Sequence, residues 1–256
     1  MPRDAPHQIS LRRISLHRIA VLAAHNVLLR RRDPAHLVSY LVMPMVLMLV
    51  FKSMLGEPVQ VVTGLLVMFS VLSMADVAGS SLAERTWHTW DRLKATRAGV
   101  PEIMLGKALP VFAVLVLQQS VLLAYGIVAV GMRPAGPVWA LALAVMAWCF
   151  ALLGVGTALA GVVRSQGELS TLCNIAALSV SALGGALVPY SMMPSWAQAI
   201  APVSPGYWAT TMLQAAVRGD VASTAGPAAV LVGLGLVAGA FAWWRFGKGW
   251  DRSSLL

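Results

Sequence analysis

Charge is what this sequence has least of. Only 11% of its 256 residues are Asp, Glu, Lys or Arg, where a soluble domain carries roughly a quarter. That scarcity excludes an ordinary water-facing surface and asks for a solvent other than water. Cysteine is scarce too. Cys149 and Cys173 lie inside apolar runs, without the spacing of a disulfide framework or a zinc site, and read as small buried residues. Catalytic signatures are missing. No G-x-x-x-x-G-K-[ST] loop occurs, Gly106-Lys107 and Gly247-Lys248 standing alone, so the chain has no phosphate loop for ATP. No H-E-x-x-H occurs. The five histidines (His7, His17, His25, His36 and His88) fall in cytoplasmic or interfacial segments without metal-ligand spacing, and no serine has a histidine near enough for a triad. The chain is therefore expected to be no enzyme, with no cofactor and no metal. No internal repeat is visible, which argues against a secondary transporter built from inverted halves.

What is present is apolar length. Hydrophobic residues make up 58% of the chain, and they gather into stretches near the ~20 residues that a helix needs to cross a bilayer. Backbone polar groups in lipid must pair within their own segment or around a closed barrel. Barrel strands show ~10-residue alternation; these runs are long and apolar on all sides, so helices are expected. The reading is an all-α polytopic membrane protein. Six transmembrane helices, at about 35–54, 59–80, 108–130, 138–163, 169–189 and 224–244, form one membrane unit over residues 35–256. Residues 1–34 are a cytoplasmic N-terminal segment. In it, residues 10–32 are basic and put Leu11, Ile14, Leu22 and Leu29 near one face, as expected of an amphipathic helix lying on the membrane surface. The following Ile19–Leu29 run is short and broken by His25 and Asn26, unlike a cleavable signal.

Between the spans, Asp33-Pro34 reads as an N-cap followed by proline at the first helical position. Pro44 is expected to kink the first span, and Lys52 to snorkel at its far end. Gly56-Glu57-Pro58 and Gly131–Pro137 read as turns, and Arg164–Glu168 as a short loop.

Orientation follows from the basic residues. With the N-terminus inside, sixteen of the nineteen Lys and Arg fall on cytoplasmic segments, leaving Lys52, Arg133 and Arg218 outside. Both termini are therefore expected in the cytoplasm of a cell that carries the chain in its inner (plasma) membrane. The net charge of +9 is then explained by anionic membrane lipids, and no nucleic acid is needed.

The cytoplasmic stretch Glu84-Arg85-Thr86-Trp87-His88-Thr89-Trp90-Asp91-Arg92-Leu93-Lys94-Ala95-Thr96 has helical propensity and stops at Ala98-Gly99. Pro101-Glu102 reopens a helix that runs through Lys107 into the third span. Taken alone, the stretch fits an ordinary charged loop as well as a short helix across the cytoplasmic face. Glu84-Arg85, Thr89, Leu93, Ala95-Thr96 and Gly106-Lys107 resemble, in order, a pattern found in the permease subunits of type-2 ABC exporters, the group containing drug-efflux and polysaccharide-export permeases. His88, Trp90 and Arg97 stand where that pattern has glycine, leucine and proline. A second resemblance lies in Pro189–Trp196 and Pro202–Trp208, which are similar to proline-punctuated external segments that dip back toward the membrane in that family. Here Ser204 suits an N-cap, Pro194 and Pro205 suit helix starts, and Trp196, Tyr207 and Trp208 would anchor at the outer interface.

The resemblance implies a separate ATP-binding subunit, a second permease in a homo- or heterodimer, and a substrate path between the two. It also implies that Glu84, Arg85, Trp90, Asp91, Arg92 and Leu93 couple to the ATPase. Candidate path residues are Asp76, Gln118, Gln119 and Asn174, polar groups inside apolar spans, where interhelical hydrogen bonding is the competing role. Residues 118 and 119 differ by about 100° around a helix, so at most one points squarely into a narrow path. Gly235 and Gly239 form a small-x-x-x-small pair suited to helix packing. The expected function is export of a hydrophobic drug or lipid-like cargo. The alternatives are a polysaccharide or glycolipid cargo, or a membrane scaffold or immunity protein with no transport cycle.

Overall fold

The computed structural model describes residues 35–247 apart from 56, 87–99 and 187, together with residues 20, 21, 23, 24 and 28. Every described element is a helix. The α-helices are α1 (Ala35–Leu55), α2 (Pro58–Thr86), α3 (Val100–Tyr125), α4 (Val138–Val162), α5 (Gln166–Leu183), the short α6 (Ser195–Ile200), α7 (Pro205–Arg218) and α8 (Val221–Gly247), with 3-10 turns at Tyr190–Met192 and Ala201–Val203. Four of the described helices are long and apolar enough to cross a membrane: α2, α3, α4 and α8. In α1 the apolar stretch is the shorter Val38–Met54. α5 opens on Gln166, Gly167 and Glu168 and has 18 residues. The expected interfacial helix over 10–32 falls mostly outside the described residues.

Several boundaries differ from the sequence reading for identifiable reasons. α5 starts inside the segment read as the Arg164–Glu168 loop, because Ser165 caps it: its Oγ accepts from Glu168 N at 3.1 Å, while Glu168 Oε2 accepts from Arg164 N at 2.8 Å. Its expected end near 189 is too late. The helix stops at Leu183 because Gly184 and Gly185 turn the chain, Gly185 at φ 74°, a conformation favouring glycine. α3 does run unbroken from Val100 past Lys107, but its last turn, Gly126–Val130, widens into a π-helix. Lys52 Nζ donates to the Ala129 carbonyl there at 3.0 Å. The lysine thus occupies a carbonyl left over at the end of that turn, where simple snorkelling was expected.

The helices form one bundle around α2. Of its membrane-length window Pro58–Ala75, 72% is buried, against 22% for α8, so α2 is central and α8 peripheral. α1, α3, α4, α5 and α7 all pack on α2, and α8 packs chiefly on α4 and α7. The α4–α8 crossing is backbone to backbone. A Cβ at Gly154 would collide with the Gly235 carbonyl, and one at Gly235 would press on the Phe150 ring. Gly239 has nothing within 4 Å, so the expected Gly235–Gly239 pair is corrected to Gly154–Gly235.

Hydrogen bonds sort the helix ends. At the Lys52 end lie the 131–137 connection and the turn after α5, where Gln60 Nε2 donates to the Gly185 carbonyl. Ala135 N and Gly136 N also donate to Val217 O there. At the opposite end, Gln166 Nε2 donates to Gly79 O at 3.2 Å, and Gly161 packs on the Arg245 side chain. α7 begins against α5's final turn and finishes against the 135–136 connection, both at the Lys52 end. At 14 residues it is about 21 Å long, so it lies across that end of the bundle. Ser204 caps it, accepting from Gly206 N at 3.2 Å, with Pro205 in the first turn, as the sequence led us to expect. Trp139, Trp243 and Trp244 are exposed.

Candidate functional site

Polar side chains in the bundle fall into an interior set, an exposed face and a cap at the Lys52 end. The interior set centres on α3. Gln118 is buried; its Oε1 accepts from Ser73 Oγ at 3.0 Å and its Nε2 donates to Tyr40 O at 3.3 Å. One side chain therefore ties α1, α2 and α3 together. Trp148 of α4 is also fully buried, and its Nε1 donates to Ser70 Oγ at 2.7 Å. Without that acceptor the indole N–H would be stranded. Gln119, one residue on from Gln118, is completely buried, and neither amide atom has a hydrogen-bond partner among the described residues. A buried amide left without a partner costs roughly 1–3 kcal/mol. Cys149 and Cys173 are both buried, and neither is part of a disulfide.

The exposed face belongs to α5. Only Leu169, Cys173, Ala177 and Ser181 of this helix are buried, a single stripe at a spacing of four. Gly167, Ser170, Thr171 and Asn174 are exposed. At about 100° per residue they fall within roughly 100° of one another. Leu178 and Ala182 continue the same face toward the end of the helix, and Leu172 and Ile175 are exposed beside it. Thr171 satisfies its hydroxyl internally by donating to Gly167 O at 2.9 Å. Residues 169–217 contain no charged side chain, so this face is polar without being ionic. Asn174 therefore does not share a surface with Gln118 and Gln119, which lie in the interior.

The cap joins α2, α5 and α7. Gln60 donates to the Gly185 carbonyl, and Gln214 Nε2 of α7 donates to Gln60 Oε1 at 2.8 Å. Thr210 donates to Gly184 O, and Ser204 Oγ to Val180 O at 3.2 Å. A Cβ at Gly64 would fall on the Ala186 carbonyl, so the turn presses its backbone directly on α2. Tyr190, Tyr207 and Trp208 pack in series beside it, with ring centroids 5.4 and 5.3 Å apart. Sequence reading passed over Gln60, Gln166, Gln214 and Trp148. The signal for Gln60 and Gln214 is the one used for Gln118, an amide inside an apolar run that needs a partner, whereas Gln166 sits in the polar Arg164–Glu168 segment and gave no such signal.

Outside the membrane-length helices, Asp220 precedes α8 and its Oδ1 accepts from Ser223 N at 3.0 Å. Hydrogen bonds from Ser223, through its side chain and its backbone N–H, hold the carboxyl below the usual range. The expected coupling residues Trp90, Asp91, Arg92 and Leu93 lie outside the described residues. Glu84 and Arg85 lie in the last turn of α2, and their side chains, like that of Asp76, are also outside them.

No curated protein matches the chain. The family model described as ABC-2 type transporter matches residues 17–217, a stretch holding the interior set, the exposed face of α5 and nearly all of α7. With that match over most of its length and four described helices able to cross a bilayer, this multi-pass membrane permease belongs to the ABC-2 type transporter family.

Proposed function

We propose that the chain is the permease subunit of an ATP-driven exporter. In this reading it moves a hydrophobic drug or lipid-like cargo out of the cytoplasm, with a separate ATP-binding subunit supplying the energy. The observation that carries it is the exposed face of α5. Inside a bilayer an uncovered asparagine amide facing lipid is unfavourable, whereas a face mixing Ser170, Thr171 and Asn174 with Leu172, Ile175 and Leu178 suits an amphiphile and a second permease. Two copies would enclose the path between their α5 helices, with Asn174 on it and Gln118 acting as an interhelical tie. Asp76 is the further path candidate, whereas Gln119 lies in the interior, away from the α5 face.

The same reading has six spans, α1 and α5 completing the four apolar ones, in an inner membrane with both termini cytoplasmic. Residues 1–34 form the cytoplasmic interfacial segment and 35–256 the permease unit. The Lys52 end is then external, and the stretch from Glu84 and Arg85 through Trp90, Asp91, Arg92 and Leu93 meets the ATPase. The alternation of ends described above supports this arrangement.

Purification of tagged permease from its native membrane is expected to carry an ATP-binding subunit with it. Reversing the charges of Asp91 and Arg92 should leave the permease in the membrane and reduce cargo-stimulated ATP hydrolysis at least to about a tenth, the effect of losing roughly 1.4 kcal/mol of coupling. Recovery of a permease free of any ATPase, exporting nothing, would favour a scaffold or immunity protein.

A further inference from the structure

α2 and α5 are joined by a glutamine at each end, and the two joints are unlike. At the Lys52 end the joint is buried and multiple. Gln60 is 8% exposed and donates to the Gly185 carbonyl while accepting from Gln214, and Thr210 and Ser204 hold Gly184 of the same turn and Val180 in the last turn of α5. At the other end, among the described residues, the joint is one exposed bond, Gln166 Nε2 to Gly79 O at 3.2 Å. Gly79 admits it: a Cβ there would lie 3.5 Å from the Gln166 amide, so alanine is tolerated and anything larger displaces the glutamine. Between the two joints α5 packs on the bundle through Leu169, Cys173, Ala177 and Ser181, with Ala176 and Val180 partly buried beside them. A rod fixed firmly at one end and lightly at the other pivots about the firm end.

We infer that Gln166 is a positioning residue, a latch that holds the Gln166 end of α5 on α2 and so sets how open the Asn174 face is on that side. The Gln60–Gln214 joint is the pivot. The inference rests on the proposed path along α5. It also gives movement of α2, whose far end leads into the 84–96 stretch, a direct handle on α5.

The test uses full-length permease with Cys149→Ala and Cys173→Ala, carrying Asn174→Cys or Ala182→Cys. Both positions are exposed, Asn174 nearer the latch and Ala182 beside the pivot. Labelling rates with an impermeant maleimide are measured in inside-out and right-side-out vesicles. Gln166→Glu keeps size but removes the donor. Losing one exposed hydrogen bond shifts a two-state balance by about two- to tenfold. Gln166→Glu is therefore expected to raise labelling of Asn174→Cys in inside-out vesicles by that factor. Labelling of Ala182→Cys in right-side-out vesicles should stay unchanged. Gly79→Leu should reproduce the effect with Gln166 intact, and Gly79→Ala should not. Unchanged labelling of an accessible Asn174→Cys overturns the latch alone. Equal increases at both cysteines overturn the pivot, because α5 would then be loosened along its length. An Asn174→Cys that resists the maleimide from both sides in every background overturns the path reading, and the inference with it.

Discussion

At the scale of single residues, the interior is held by a few hydrogen bonds whose loss should be visible one at a time. Gln118→Leu removes both the Ser73 and the Tyr40 contacts. Interhelical bonds in a membrane are worth on the order of 1 kcal/mol or less each, so the variant should melt lower in detergent, by a loss of about 1 kcal/mol, and should scale export of any two cargos equally. Asn174→Leu is expected to do the reverse, keeping the melting temperature while changing the ratio in which two unlike amphiphiles are exported. Identical ratios for both variants would mean that Asn174 only holds helices together. A third residue reports through pH. The Asp220 carboxyl titrates lower when folded than its ordinary value of 3.8, so its contribution to stability is present above that value and is lost as pH falls through the folded pKa. Asp220→Asn keeps a capping oxygen without titrating. The melting-temperature gap between wild type and Asp220→Asn should be constant from pH 7 to about 5 and shrink below about 4. A constant gap down to pH 3 would show that the cap does not favour the charged form.

At the scale of elements, the decisive contact is the α4–α8 crossing. Gly154→Val drives a branched side chain into the Gly235 backbone. Overpacking of this kind typically costs about 1–3 kcal/mol, so folded yield and thermal midpoint should both fall. Gly239→Ala, at a site with nothing within 4 Å, should be neutral, and equal losses for the two variants would contradict the crossing. The comparison also shows what a sequence makes legible. Long apolar runs announce helices because lipid leaves the backbone no other partner, and the Ser204-Pro205 start of α7 was readable because capping is local. The Gly154–Gly235 contact was not readable, since the two residues lie eighty-one positions apart in the chain and each sees only ordinary neighbours locally. The nearer Gly235–Gly239 spacing looked sufficient on periodicity alone. Likewise Gln118 stood out as polar in an apolar span, while its partners Ser73 and Tyr40 were settled only by packing.

At the scale of the whole molecule, the distribution of charge and the alternation of helix ends make one prediction together. Single cysteines at Thr96 and Ser195, in a background without Cys149 and Cys173, should label oppositely with an impermeant thiol reagent in intact cells, Ser195→Cys reacting and Thr96→Cys not. Reaction of both from outside would rule out six spans with cytoplasmic termini. The test is clean because both native thiols are buried and their removal leaves the surface unaltered.

The cap at the Lys52 end bears on leakage. A membrane protein that opens a path for an amphiphile must not also let protons or sodium run down their gradients. Four of the hydrogen bonds that close the cap are Gln60 to Gly185, Gln214 to Gln60, Thr210 to Gly184 and Ser204 to Val180. At about 0.6 kcal/mol each they would hold the turn shut only about sixtyfold over open. That is too slack a seal for a cell living on its membrane potential. Part of the remaining tightness comes from the turn's backbone lying directly on α2 at Gly64. A permease with Gly64→Ala is thus expected to be less a weaker exporter than an uncoupler, lowering the membrane potential of cells that express it even when no cargo is supplied.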